Sequence, residues 1–258
     1  MNKCIRVVTL FPEMVTTAMS FGVCGRAIRR GVIALGTIDP RDFADDPRRT
    51  VDDRPYGGGP GMVLKVEPFR AAILSARASL PAGSPVIFLS PQGRRFDQGV
   101  ARELADLPGM ALVAGRYEGF DERLIASEGD DEISLGDYVM SGGEIAAVAI
   151  IDAVVRLQPG VLGDEDSAEQ DSFMDNLLDF PHFTRPETLD GMDVPPVLTG
   201  GNHEEIRRWR LKQALGRTYL RRPDLLNTRK LTNEEQQLLQ EYLAEQELDM
   251  GHDGPVRH

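Results

Sequence analysis

Glu118, Asp137 and Tyr138 lie in two of three glycine-punctuated turns that crowd into about 55 residues. The turns are Leu89-Ser90-Pro91-Gln92-Gly93, Gly115-Arg116-Tyr117-Glu118-Gly119 and Leu135-Gly136-Asp137-Tyr138-Val139-Met140-Ser141-Gly142-Gly143. Each follows an apolar run that reads as a buried strand: Val86 to Leu89, Ala111 to Ala114 and Ile133 to Leu135. Open α/β sheets bind ligands in the crevice at the carboxyl ends of their strands. Three such turns at neighbouring strand ends therefore predict one pocket built largely from backbone. The turns carry acids and phenols but no nucleophile beside a His, and Cys4 and Cys24 lie far from them in sequence, which disfavours covalent catalysis. No G-x-x-x-x-G-K-[ST] and no G-x-G-x-x-G opening a helix is present, so neither a P-loop nor the usual dinucleotide fingerprint is expected. A G-x-S-x-G nucleophile elbow is missing too.

The elements that must position these turns follow from apolar periodicity. Arg6 to Leu10 and Gly31 to Ile38 read as strands, and Phe11-Pro12-Glu13 opens a helix with Pro in its first turn. Helices are predicted over Glu67 to Ala78, Gln98 to Leu107, Asp121 to Ser127 and Glu144 to Leu157, the last apolar nearly all round and so buried in a core or a subunit interface. The alternation predicts an α/β fold with a mostly parallel sheet. Pro55 to Gly61 holds four Gly and two Pro in seven residues, which neither a helix nor a central strand accepts, and reads as a functional loop. Residues 163–170 are acidic and lack large apolar side chains, which predicts a flexible linker over 163–179 between a catalytic domain, 1–162, and a helical domain, 180–258, with a polar tail. In that second domain Asn202 is placed to cap a helix, and Thr232-Asn233-Glu234-Glu235 is a capping box.

Composition bounds the setting. The 258 residues are 41% hydrophobic and 27% charged, which is ordinary for a globular protein. Two Cys and four scattered His offer no zinc spacing, and the amino terminus enters a strand-like run without a signal-peptide layout, so a reduced, cytoplasmic setting is expected. The net charge of −12 argues mildly against nucleic acid, but its distribution does not. Between Ile206 and Lys230 nine Arg or Lys face one acid, Asp224, for a local +8 against −20 elsewhere. Arg207, Arg210, Arg217 and Arg221 recur at helical spacing, a stripe suited to phosphate contacts.

Several longer motifs carry a resemblance. Leu10-Phe11-Pro12-Glu13-Met14, Asp52-Asp53-Arg54-Pro55-Tyr56-Gly57-Gly58-Gly59-Pro60-Gly61-Met62, the three turns, Ser141-Gly142-Gly143-Glu144, Asp171-Ser172-Phe173 and Pro181-His182-Phe183-Thr184-Arg185-Pro186 occur in one order. Over roughly residues 3 to 245 the chain resembles the bacterial tRNA (guanine-N1)-methyltransferases of the knotted SPOUT superfamily. The resemblance implies a parallel α/β sheet with helices on both faces and a deep trefoil knot, followed by a small helical domain. It implies methyl transfer from S-adenosylmethionine to N1 of the guanosine at position 37 of tRNA, by a homodimer with its active site at the subunit interface. Asp171 then acts as general base and Arg156 stabilises guanine O6. The cofactor residues it implies are Phe88, Leu89, Ser90 and Pro91, then Gly115, Tyr117, Glu118 and Gly119, then Ile133, Ser134, Leu135, Gly136, Tyr138, Met140, Gly142 and Gly143. Arg54, Gly58, Gly59, Pro60, Gly61, Ser167, His182, Arg185, Arg207, Arg210 and Arg217 are placed on the RNA side. A divalent ion, plausibly Mg²⁺, is implied, but no ligand cluster in the sequence identifies its site. The alternatives are a related methyltransferase acting on another RNA site and a catalytically silent RNA-binding module.

Overall fold

The computed structural model describes residues 2–162 and 171–250. The chain divides into two compact units, Met1–Glu165 and Asp166–His258.

The first unit runs β1 (Lys3–Val8), α1 (Pro12–Ala18), α2 (Gly22–Arg29), β2 (Ile33–Ile38), β3 (Asp52–Asp53), β4 (Val63–Leu64), α3 (Val66–Ala78), β5 (Val86–Arg95), α4 (Gln98–Asp106), β6 (Gly109–Ala114), α5 (Glu122–Glu128), β7 (Asp131–Ser134) and α6 (Glu144–Val155). Five strands form a sheet in the order β2-β1-β6-β5-β7, with every pairing parallel. Side chains alternate across it, as strand geometry demands. Ile5, Val7, Ile87, Leu89, Met110 and Leu112 face a core shared with α1, α2, α4 and α6. Val8, Val86, Phe88, Ala111 and Val113 face a second core under α3 and α5. Both faces are covered, which is why the strands read as continuous apolar runs.

β1 begins three residues earlier than its apolar run suggests and ends at Val8. It is flanked on both sides, with Lys3 opposite Ile33 and Cys4 opposite Gly109, so its neighbours set its bounds. Lys3 is buried, and its ammonium donates to the carbonyls of Leu104 (2.6 Å), Ala105 (3.3 Å) and Leu107 (2.6 Å). It thereby satisfies carbonyls that the carboxyl end of α4 leaves open. Burial pushes this lysine down to about 8, with Asp106 acting in the opposite direction. Local pattern does not mark α2, because Gly22 and Gly25 are poor helix formers. It is held by burying Cys24 and Ala27 under the sheet.

The second unit contains a short hairpin, β8 (Thr188–Leu189) with β9 (Met192–Asp193), then α7 (Pro196–Thr199), α8 (His203–Arg221), α9 (Pro223–Asn227) and α10 (Asn233–Met250). Asn202 caps α8, accepting from the backbone N–H of Glu204 and Glu205. Reciprocal bonds between Thr232 and Glu235 form the capping box of α10. Residues 171–179, which composition places in the linker, are turns anchored within this unit. The Leu178 N–H donates to Thr218 Oγ1 at 2.8 Å, and the Asp179 N–H to Ser172 Oγ at 2.9 Å. One of these bonds is local and the other reaches 40 residues along the chain to α8, and composition registers neither. The acidic segment 163–170 and the tail beyond Met250 lie outside the described residues.

Candidate active site

A cavity of about 300 Å³ opens where β5 breaks its ladder after Leu89 and at the carboxyl ends of β6 and β7. Its walls are the three glycine-punctuated turns. The first wall forms because β5 leaves its ladder with β7 after Leu89 and rejoins it at Arg94. Pro91 has no N–H to offer a ladder, and Ser90, Pro91 and Gln92 turn into the cavity. The second wall is Gly115 with Tyr117, Glu118 and Gly119, and the third is Ile133 to Gly136 with Tyr138, Met140, Gly142 and Gly143. The third wall meets the second closely. The Gly143 N–H donates to the Gly115 carbonyl at 2.9 Å, and a Cβ on Gly143 would stand 2.9 Å from Ala114 Cα. Only glycine permits that approach.

Phe88 is not part of these walls. Its ring is buried in the second core, edge-on to Phe120 with centroids 4.9 Å apart. The one-residue alternation of the strand turns it to the opposite face from Leu89. Arg116, Phe120, Val139 and Ala146 line the cavity without having been singled out from sequence. Strand periodicity marks none of them: Arg116, Phe120 and Val139 lie between regular elements, and Ala146, in the first turn of α6, reaches the cavity only through tertiary packing.

The glycine-rich loop is the tip of a hairpin. β3 and β4 pair Asp52 with Leu64 and Asp53 with Val63. Its base is laced to the second wall, since the Glu118 N–H donates to the Met62 carbonyl (3.0 Å) and the Leu64 N–H to the Gly119 carbonyl (2.9 Å). Gly61 has φ +87°, and a Cβ there would collide with the Glu118 side chain. Gly58, Gly59 and Pro60 are exposed at the tip, beside the exposed Arg54. Sequence separation hides this lacing.

Arg156 closes α6 as its C-cap residue. Asp171 belongs to the second unit, where it lines a separate cavity of about 560 Å³ with Asp179, Phe180, Arg207 and Arg210. There the Arg210 guanidinium lies 4.7 Å from the centre of the Phe180 ring. His182 is exposed, hydrogen-bonded to Asp179 at 2.8 Å and packed against Phe180. Arg185 is exposed, Arg217 is half-buried, and Ser167 lies outside the described residues.

The basic block is less free than its sequence suggests. Arg207 pairs with Glu204 and Glu234, Arg208 with Glu241, Lys212 with Glu245, Arg222 with Asp224 and Arg229 with Glu235. Four of these acids come from α10, on the far side of a turn. Arg210, Arg217, Arg221 and Lys230 form no such ion pair among the described residues, and they carry the positive surface that remains.

Cys24 is buried and donates to Asp152 at 3.2 Å. Burial, followed by that bond and the Asp152 charge, pushes its thiol up to about 12, so it is not a nucleophile. Among the described residues no three His, Cys, Asp or Glu side chains come together to hold a metal ion. The backbone walls, by contrast, fit a nucleoside-type cofactor, with N–H and C=O groups to read a base and ribose and a volume at the low end of ligand cavities, roughly 300–1,000 Å³.

A parallel sheet covered on both faces, with its crevice at the carboxyl edge, is the architecture of α/β cofactor-binding enzymes. Among these, the chain belongs to the tRNA (guanine-1)-methyltransferase family: the family described as tRNA (Guanine-1)-methyltransferase TrmD matches residues 3–228. It is similar to a tRNA (guanine-N(1)-)-methyltransferase of Shewanella amazonensis, 60% identical over 93% of this chain and 96% of that one. Similar proteins of the same description occur in Methylococcus capsulatus, at 60% identity over 94% and 96%, and Hahella chejuensis, at 61% over 91% and 91%.

Proposed function

We propose that this chain transfers a methyl group from S-adenosylmethionine to N1 of the guanosine at position 37 of tRNA. The observation that carries the reading is the backbone-walled cavity at three strand ends in a chain of this family. Bound there, S-adenosylmethionine supplies an electrophilic methyl group. Backbone groups of Leu89, Gly115, Leu135, Tyr138 and Met140 hold its adenine and ribose, and Gly142 and Gly143 allow close approach.

The remaining chemistry belongs to the protein. Guanine N1 is a poor nucleophile until it loses its proton, and negative charge grows on O6 as it does. Asp171 takes the N1 proton and the Arg156 guanidinium stabilises O6, while Glu118 stands at the cavity wall beside the reacting groups. Arg210, Arg217 and Arg221, with Arg54 and the tip at Gly58 to Gly61, hold the RNA backbone. His182 and Arg185 contact the RNA as well. Phosphate contacts of this kind position the RNA, and the extruded base is read in its pocket.

The active species is a homodimer whose second copy completes the site. Phe11, Phe21, Val139 and Ile145 are large apolar side chains left exposed on the first unit, and they support this assembly. The family's trefoil knot and a cytoplasmic location belong to the same reading. No described helix is long and apolar enough to cross a membrane.

The test compares methyl transfer to a tRNA transcript carrying guanosine at position 37 with transfer to the same transcript carrying adenosine. Label in the guanosine transcript alone supports the reaction, and label in neither, with cofactor binding intact, refutes the target. Asp171→Ala abolishes turnover and leaves S-adenosylmethionine affinity nearly unchanged; near-full turnover would remove Asp171 from the role of base.

A further inference from the structure

Glu144 and Thr9 are both fully buried, and neither lines the cavity. A buried carboxylate requires partners for both oxygens. Glu144 Oε1 accepts from Thr9 Oγ1 at 2.9 Å, and Oε2 accepts from Arg116 Nε at 2.9 Å. The Thr9 hydroxyl is itself oriented, because it accepts from the Phe11 N–H at 2.9 Å and so turns its proton toward Glu144. Arg116 is locked from two further directions. Its Nη1 donates to the Ser141 carbonyl at 3.2 Å, and its guanidinium lies 4.4 Å from the centre of the Phe11 ring. Its backbone also bridges antiparallel to Gly142. One guanidinium therefore fastens the second wall of the cavity to the third, with β1 and the start of α6 as its footing. Glu144 stands in the first turn of α6, where the helix dipole favours a negative charge.

We propose that Arg116, held by Glu144 and Thr9, is the positioning residue that sets the separation of the 115–119 and 135–143 walls and thereby governs affinity for S-adenosylmethionine. The proposal rests on the cavity being the cofactor site. The chemistry of the clamp is specific. Arg116 and the oriented Thr9 both donate, so the group between them must accept at both ends, which a carboxylate does and an amide cannot. Glu144→Gln sets its NH₂ against a donor on one side. Arg116→Lys keeps the charge, but a single ammonium loses the planar fork that reaches Glu144 and the Ser141 carbonyl together.

The experiment measures equilibrium binding of S-adenosylmethionine and steady-state methylation of the guanosine transcript at varied cofactor, for the full-length wild type, Arg116→Lys and Glu144→Gln. Melting of each protein without ligand is recorded alongside. Arg116→Lys is expected to raise Kd and KM for the cofactor about tenfold or more, with kcat at saturation within about threefold and melting within a few degrees, the pattern of lost uniform binding. Glu144→Gln is expected to change in the same direction. Should the buried substitution prevent folding, Arg116→Lys decides alone. Cofactor affinity within about twofold of wild type in the folded variants overturns the proposal, as does a fall in melting temperature with KM unchanged. A wild type that binds no S-adenosylmethionine overturns the cavity reading and this proposal together, whereas normal wild-type binding with unaltered variants overturns this proposal alone.

Discussion

Gly143→Ala tests the geometry of the cavity most directly. The added Cβ would stand 2.9 Å from Ala114 Cα and 3.1 Å from the Gly115 nitrogen. Carbon atoms in contact rest at about 3.5–4.0 Å, so the third wall must retreat by about 0.6 Å. The obstacle is backbone and cannot rotate aside. The Gly143–Gly115 hydrogen bond starts at 2.9 Å, and the same retreat stretches it to about 3.5 Å, beyond useful range. Overpacking costs about 1–3 kcal/mol and the lost bond about 0.5–1.5 kcal/mol. In the free protein the two turns can splay and relieve part of this strain, but bound cofactor requires them at their original separation. The relief is then returned as lost binding. If about 2 kcal/mol is returned, affinity falls about 30-fold. Calorimetric titration with S-adenosylmethionine measures it, beside a melting curve expected to fall by only about 2–4 °C per kcal/mol left in the free protein. Cofactor affinity within about twofold of wild type would refute the argument that the Gly143–Gly115 approach sets the cavity.

Two further expectations concern charge. Five of the nine cations between Ile206 and Lys230 are paired internally, which leaves four there for phosphate; with Arg54 and Arg185 the slope of log affinity for tRNA against log salt is expected at about −4 to −5, not the roughly −8 to −10 that all these cations would give; filter binding from about 50 to 200 mM salt decides, and a flat response removes the electrostatic account. Lys3 has its folded pKa lowered to about 8 from an ordinary 10.5. Between those values the unfolded chain holds a proton that the folded one has released, so this group's contribution to stability rises with pH across that window and is constant below it. Urea unfolding of wild type and Lys3→Met at both ends of the window should show the wild type gaining on the variant as pH rises, and a parallel response would place the proton elsewhere.

The sequence by itself determined what short-range physics controls. Apolar runs at Val86 to Leu89 and Ala111 to Ala114 read as strands covered on both faces. The Asn202 cap and the Thr232–Glu235 box could be read because each is a bond between neighbours in the chain. The three turns announced a pocket because glycine and proline punctuate strands locally. Tertiary structure alone decided the rest. Phe88 and Leu89 are both apolar, and only the pleat within a finished sheet turns one wholly into the core under α3 and α5 and the other to the opposite face, where it borders the cavity. The cations of α8 looked free until α10 folded back and brought acids from 27 to 33 residues away onto Arg207, Arg208 and Lys212. Glu144 and Thr9, separated by 135 residues, give no periodic signal at all. A buried carboxylate is recognisable only once the fold has removed its water and supplied its two donors, because its energy depends on partners that chain order does not bring together.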